Sequence, residues 1–198
     1  MADKSSIRNK NRLSGIVLLY FMGVITGAIL YCFPPDGQAE RFGTIAESFI
    51  SGRFDKQFAE ILVNSFCEPF VMLLICFLLG LSAVAHPAEY LVPVFHALGT
   101  GITLAGIYDL YGISGIGMSA VMIIPGTVIS AFAVIIAVRE ALNMSSDVYS
   151  ASFGKASAAA KINFRLYFTK FVILCAMVVA AAFAESILIF LFADFWKV

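Results

Sequence analysis

Two acidic side chains lie within long apolar stretches of this sequence, where a charge is costly. Glu68 lies in the stretch 61–85 and Glu185 lies in the stretch 166–192. Glu68 lies about seven residues after the start of its stretch, and Glu185 lies about seven residues before the end of its own. In helices these two ends face the same membrane surface, so each carboxyl lies roughly 10 Å below it. Two carboxyls at matching depth could form a polar pocket, share a proton or bind a cation. The alternative is that each carboxyl meets a neighbouring hydroxyl or amide group, or reaches the membrane surface.

His96 is the one imidazole deep within an apolar stretch, 89–109. A lone histidine of this kind is more often a packing residue than a ligand. The sequence contains no H-E-x-x-H motif, no G-x-S-x-G motif and no phosphate-binding glycine loop. Its four cysteines form no C-x-x-C pair. We therefore expect no catalytic residue, no metal site, no cofactor and no enzymatic activity.

The composition indicates an integral membrane protein. Hydrophobic residues make up 61% of the 198 residues and charged residues make up 13%, whereas a soluble domain has about 45–50% and about 25%. One small core cannot bury this much apolar surface, so we expect the chain to contact membrane lipid. The thirteen basic and thirteen acidic residues balance, and a nucleic-acid partner is not expected because such proteins carry a basic surface.

Five stretches are long enough to cross a membrane, since a span needs about 20 mostly apolar residues. The alternating pattern of a membrane β-barrel is absent, so helices are predicted. The expected fold is an all-α, polytopic membrane helical bundle that forms a single domain over 1–198. The five predicted spans are 14–33, 61–85, 89–109, 113–138 and 166–192.

The distribution of basic residues predicts the orientation of the chain. With five spans and a cytoplasmic N-terminus, nine of the thirteen Lys and Arg residues fall on the inner side and four on the outer side. Cytoplasmic loops carry the excess of Lys and Arg in membrane proteins. The sequence therefore predicts a multi-pass cell-membrane protein with a cytoplasmic N-terminus and an extracytoplasmic C-terminus.

Between the first two predicted spans, apolar residues recur at spacings of mostly three or four, with charged residues between them; the apolar residues are Phe42, Ile45, Phe49, Phe54, Phe58 and Ile61. This pattern predicts an amphipathic helix at the outer membrane interface, with a break at 51–52. The helix could dock a partner protein through its apolar face, or it could pack as a lid on the outer end of the bundle. The candidate partner surface comprises Phe42, Phe49, Phe54 and Phe58.

Small residues and prolines mark the third and fourth predicted spans. Glycines allow two helices to approach closely, and a proline within a span kinks the helix and frees a backbone carbonyl. These positions indicate either tight helix packing or a substrate pathway. The candidate packing and kink residues are Gly80, Pro87, Gly99, Gly101, Gly106 and Pro125.

Several of the same positions carry a family resemblance. The second predicted span ends in an L-G-x-S-x-x-x-x-P pattern, close glycines follow in the third span, and a proline lies in the middle of the fourth. With this pattern, and with an opening run that also matches at 21–28, the sequence resembles the stage II sporulation protein M family. The positions that carry the resemblance are Leu79, Gly80, Ser82, Pro87, Gly99, Gly101 and Pro125.

The resemblance implies five spans and, for sporulating members, a membrane scaffold. Such a scaffold gathers peptidoglycan hydrolases at the septum during engulfment of the forespore. We therefore expect a non-enzymatic assembly protein for cell-wall remodelling, with membrane or extracytoplasmic protein partners. The alternative is a small permease or a membrane subunit of a transporter. A transporter requires Glu68, Glu185 and His96 to converge on one hydrated cavity, whereas a scaffold does not.

Overall fold

The computed structural model describes residues 2–54, 57–153 and 163–196, and these residues contain helices and turns but no strand. The long apolar runs account for this, because a helix satisfies its own backbone hydrogen bonds. The helices are α1 (Ala2–Cys32), α2 (Ala39–Phe54), α3 (Phe58–Gly80), α4 (His86–Met118), a π-helical turn (Ser119–Ile123), α5 (Ile124–Phe153) and α6 (Phe164–Trp196).

Four helical runs among the described residues are long and apolar enough to span a membrane. Three of them correspond to single helices, α1, α3 and α6. The third run in chain order is 67 residues long and joins α4, the π turn and α5. The four runs are Arg12–Cys32, Phe58–Gly80, His86–Ser152 and Phe164–Phe192.

The 67-residue run reverses direction at Gly112. This glycine has φ 57° and ψ −135°, which is outside the helical region, and glycine adopts positive φ without steric cost. Beyond it, the Ser119 hydroxyl donates a hydrogen bond to the Tyr108 hydroxyl over 3.3 Å, although the two residues are 11 positions apart. A straight helix would separate them by about 16 Å. The chain therefore folds back on itself between these residues.

Helix α1 packs against the first half of α4 through small residues, and the two helices run parallel. A Cβ atom added at Gly23 would lie 2.7 Å from the Ala97 Cβ. Further along both helices, a Cβ at Gly101 would collide with the Val24 carbonyl oxygen. The backbones are therefore close enough that neither glycine can carry a side chain without a shift, as in other small-residue helix interfaces.

Helix α6 packs antiparallel to both α3 and α5. Tyr167 donates a hydrogen bond to the Phe77 carbonyl over 3.0 Å, and the two rings stack at 5.3 Å. A Cβ at Gly80 would collide with the Tyr167 hydroxyl and lie 2.9 Å from the Ala141 Cα. Gly80 therefore lies where α3, α5 and α6 meet.

Two local expectations from the sequence are wrong. Helix α3 ends at Gly80 rather than at residue 85, and the turn 81–85 follows. Helix α2 continues through the expected break at Ser51–Gly52 to Phe54, because one glycine costs a helix only about 1 kcal/mol and α2 gains packing against α4. The reversal at Gly112, in contrast, falls in the predicted turn between the spans 89–109 and 113–138.

Candidate functional site

A small polar cavity lies inside the bundle, between α2, α3, α4, α5 and α6. Its volume is about 30 Å³, which is room for about two water molecules, since each needs at least ~10–15 Å³. Eight of its twelve lining residues have polar side chains, an unusual share in a chain this apolar. The lining residues are Phe49, Ser65, Glu68, Pro69, His96, Thr100, Thr103, Leu104, Ile123, Thr127, Ser130 and Glu185.

The cavity brings together the three intramembrane polar residues that the sequence singles out. Glu68 reaches it from α3, His96 from α4 and Glu185 from α6. The two glutamates come from helices that run in opposite directions and pack against each other, as their matching depth in the sequence requires. That these carboxyls share a proton stays a prediction.

Glu185 is buried, with 5% of its surface exposed, and it lies against Gly126 of α5. A Cβ added at Gly126 would be 2.7 Å from the Glu185 Oε2 and 2.8 Å from its Cβ. Only a residue without a side chain leaves this space to the carboxyl. Gly126 follows Pro125, so the centre of the fourth predicted span contributes to the site through the glycine beside the proline.

Glu68 is exposed, in contrast to Glu185, and lies near α4. A Cβ at Gly99 would lie 3.9 Å from the Glu68 Oε1, which is an ordinary van der Waals distance. Glu68 also acts electrostatically on His96 and on Tyr20. A side chain at Gly99 would therefore have room beside Glu68, whereas a side chain at Gly126 would clash with Glu185.

His96 is 3% exposed and is held by the first helix. Its Nδ1 and the Tyr20 hydroxyl are 3.1 Å apart, and the same hydroxyl is 3.5 Å from the Thr100 Oγ1. Thr100 in turn donates to the His96 carbonyl over 3.0 Å. The hydrogen bond to Tyr20 therefore holds one side of the His96 ring against α1. His96 also lines the cavity.

Ser65 and Pro69 lie about one turn apart on α3, at the cavity wall. The Ser65 side chain is 4% exposed, and its hydroxyl has no hydrogen-bond partner among the described residues. Pro69 has no N–H group, so the Ser65 carbonyl four residues earlier loses its usual helical hydrogen bond. From the sequence, Ser65 is only one possible hydroxyl neighbour of Glu68, and Pro69 is not predicted as a site residue, although a proline within an apolar run is a visible signal.

The π-helical turn Ser119–Ile123 directly precedes Pro125. A proline ring clashes with the carbonyl four residues before it, and a wider helical turn relieves this contact. Ile123, at the end of the π turn, and Thr127, two residues after the proline, both line the cavity. Turns of this kind occur frequently at functional sites.

The other predicted packing residues lie away from the cavity. Gly80 and Gly101 lie at helix contacts, Gly106 is buried within α4, and Pro87 lies in the first turn of α4. His86, beside that proline, hydrogen-bonds through Nδ1 to Ser145 at 2.9 Å and through Nε2 to Ser146 at 3.0 Å. These contacts join the start of α4 to α5, and the Ser145 hydroxyl also donates to the Ser82 carbonyl of the turn 81–85 over 2.8 Å.

The residues of the candidate partner surface lie in different environments. Phe49 lines the cavity and packs against an apolar cluster that includes Ile61 and Ile123. Phe58 contacts the Phe190 ring edge-on at 6.0 Å, and Phe42 is half-buried. The side chain of Phe54 lies outside the described residues. Phe49 and Phe58 therefore pack within the bundle and do not present a free surface.

Glu89 is a buried acid that sequence analysis missed, because it stands at the edge of a predicted span. Its side chain is fully buried, and neither carboxylate oxygen has a hydrogen-bond partner in the part of the chain that the structure describes. Arg12 is close enough to act on it electrostatically. Glu89 lies near the His86 turn, at the end of the bundle opposite the α2 helix.

Comparison with known proteins gives a family but no close relative. The profile of the stage II sporulation protein M family matches residues 16–188. The chain belongs to this family. Neither a curated protein nor a solved structure matches the chain. The family match and the long apolar helices together identify a sporulation-related membrane protein.

Proposed function

We propose that the chain is a non-enzymatic membrane scaffold that assembles peptidoglycan-remodelling enzymes at the septum during engulfment. The family match over residues 16–188 carries this proposal, because it includes the bundle from α1 to α6. The family match therefore covers the helical bundle as a whole and not one isolated span.

The proposed topology has five crossings, with the N-terminus in the cytoplasm and the C-terminus outside. The reversal at Gly112 supports it, since α4 before this glycine and the chain after it run in opposite directions. Tyr31 donates a hydrogen bond to Asp109 over 3.2 Å, so α1 and the first half of α4 end on the same side. An excess of basic residues at the opposite side supports the orientation.

Helix α2 offers the proposed contact surface for extracytoplasmic partners. Phe49 fixes one face of α2 to the bundle, while Ile45 is 44% exposed. Glu40 and Arg41 are exposed nearby. The exposed face of α2 at the outer end of the bundle thus combines an apolar side chain with charged ones, and our proposal places the protein partner on this face.

Recruitment of a hydrolase in the native host tests the assembly role. The gene is deleted and complemented with the wild type or with Ile45→Asp, and an extracytoplasmic peptidoglycan hydrolase is followed by fluorescence. We expect septal hydrolase with the wild-type chain and no septal hydrolase with Ile45→Asp. Ala59→Asp, an exposed α3 substitution outside the proposed surface, is the control that should complement fully.

A second candidate function is a small permease or a membrane subunit of a transporter. The convergence of Glu68, Glu185 and His96 on one cavity favours it, because a pathway requires such a grouping. A cavity of about 30 Å³ limits a solute bound there to a very small ion. Ion flux into liposomes that contain the purified chain, compared with the Glu185→Gln variant, tests this candidate.

A further inference from the structure

The cavity has the chemical character of a cation site. Its polar lining consists of two carboxylates, five hydroxyl groups and one imidazole, with no lysine or arginine among the lining residues. Glu185 is buried and Glu68 is exposed, so the Glu185 carboxylate lies in the environment of lower dielectric. A carboxylate in such an environment attracts a positive charge strongly.

The unpartnered hydroxyl of Ser65 independently indicates a bound ligand. A buried hydroxyl without a partner costs the free energy of its desolvation, and Ser65 lies on the cavity wall with its hydroxyl fully enclosed. Pro69 removes the helical donor to the carbonyl of the same residue. Ser65 thus offers its hydroxyl oxygen as a neutral ligand, beside a carbonyl whose usual helical donor is missing.

The size and donors of the cavity restrict the kind of cation. About 30 Å³ accommodates a partly dehydrated monovalent ion with one water molecule and excludes organic cations. No three His, Cys, Asp or Glu side chains within the described ranges are grouped so that they could hold a metal ion, which argues against a transition metal. The remaining donors are hard oxygen atoms, which suit an alkali cation.

We propose that this cavity binds one monovalent cation of the size of sodium. The carboxylates of Glu185 and Glu68 supply the charge, and Ser65 supplies a neutral oxygen. Gly126 acts as a positioning residue, since its missing side chain leaves room for the Glu185 carboxyl. This inference goes beyond the assembly role and concerns binding alone, so it stands or falls separately from partner recruitment and from transport.

Sodium binding to the purified full-length chain in detergent tests the inference. Equilibrium dialysis with radiolabelled sodium is carried out at constant ionic strength, with choline as the replacement cation. We expect saturable binding of a single ion, and a thermal midpoint that is higher in sodium than in choline. The proposal would be overturned if the thermal midpoints were equal in the two salts and no saturable sodium binding were seen. The cavity would then hold only water.

The Ser65→Ala variant separates a ligand from a structural hydroxyl. Without sodium, we expect this variant to be at least as stable as the wild type, because the removed hydroxyl has no partner. With sodium, it should lose much of the sodium-dependent shift and bind about tenfold more weakly. An unchanged sodium affinity in folded Ser65→Ala would contradict the proposed ligand set.

Two further variants test the carboxyl and its position. Glu185→Gln should abolish saturable sodium binding, and Gly126→Ala should weaken it by displacing the carboxyl without changing any donor. Gly99→Ala is the matched control, because its Cβ would meet only the Glu68 Oε1 at 3.9 Å. Sodium binding that survives in folded Glu185→Gln, or equal affinities of the two alanine variants, would overturn the assignment.

Discussion

Gly126 and Glu185 occupy one space between α5 and α6: a Cβ on the glycine would lie 2.7 Å from the glutamate Oε2. The backbone of one helix thus directly limits the position of a buried carboxyl on another. A glycine beside a mid-span proline serves here to admit a polar side chain, rather than only to bring two apolar helices together.

Gly126→Ala should therefore destabilise the bundle. We expect the free energy of unfolding to fall by about 1–3 kcal/mol, because the added methyl group overpacks a filled site. Gly99→Ala should be neutral, or raise stability by up to about 1 kcal/mol, since alanine favours the helix. Denaturant unfolding in detergent measures both variants, and equal stabilities would contradict the close contact.

The interface between α1 and α4 gives a second glycine comparison. Gly101→Ala should lower the free energy of unfolding by more than about 1 kcal/mol, because its Cβ would meet the backbone of Val24 and the helices must separate. Gly15 lies on the same first helix with nothing within 4 Å of its Cβ position. Gly15→Ala should leave the thermal midpoint unchanged or slightly higher. A stable Gly101→Ala variant would argue against this interface.

The two faces of α2 should respond differently to the same substitution. Phe49→Asp should destabilise the bundle by at least about 1.5–3 kcal/mol, because Phe49 is packed against the apolar cluster beside the cavity. Ile45→Asp should change the free energy of unfolding by less than about 0.5 kcal/mol, since Ile45 is exposed. Thermal unfolding in detergent distinguishes them. Equal destabilisation would mean that both faces of α2 are buried.

Reporter fusions test the five-crossing topology. A reporter inserted at Gly112 and one fused after Val198 should both read extracytoplasmic, because the chain reverses at the glycine and crosses twice more. If the long run from His86 to Ser152 did not return across the membrane at Gly112, the fusion after Val198 would read cytoplasmic. A fusion before Ser14 should read cytoplasmic in either case.

The sequence predicts the helices well but not how they are rotated. The apolar runs locate α3, α6 and the apolar part of α1 (Arg12–Cys32) to within a few residues, because their length and hydropathy suffice. Glu68 and Glu185 are visible as acids at equal depth, yet their meeting at one cavity depends on which face each helix turns inward. That choice follows from close contacts such as Gly126 against Glu185, which only the folded chain displays.

Other site residues were missed for identifiable reasons. Ser65 is an ordinary residue in sequence, and becomes notable only when its hydroxyl is seen buried without a partner. Glu89 stands at the edge of a predicted span, where an acid normally meets water, but α4 begins three residues earlier and encloses it. The break expected at Ser51–Gly52 failed because packing of α2 against α4 outweighs the weak helix propensity of glycine.

Septal enrichment of an extracytoplasmic peptidoglycan hydrolase tests the assembly role most directly. Its fluorescence at the septum, relative to the lateral membrane, is measured in cells with the wild-type chain, without the chain, and with the Glu185→Gln variant. The scaffold account predicts enrichment with the wild type and with Glu185→Gln, and loss of enrichment without the chain. Enrichment that persists in cells without the chain would contradict the account.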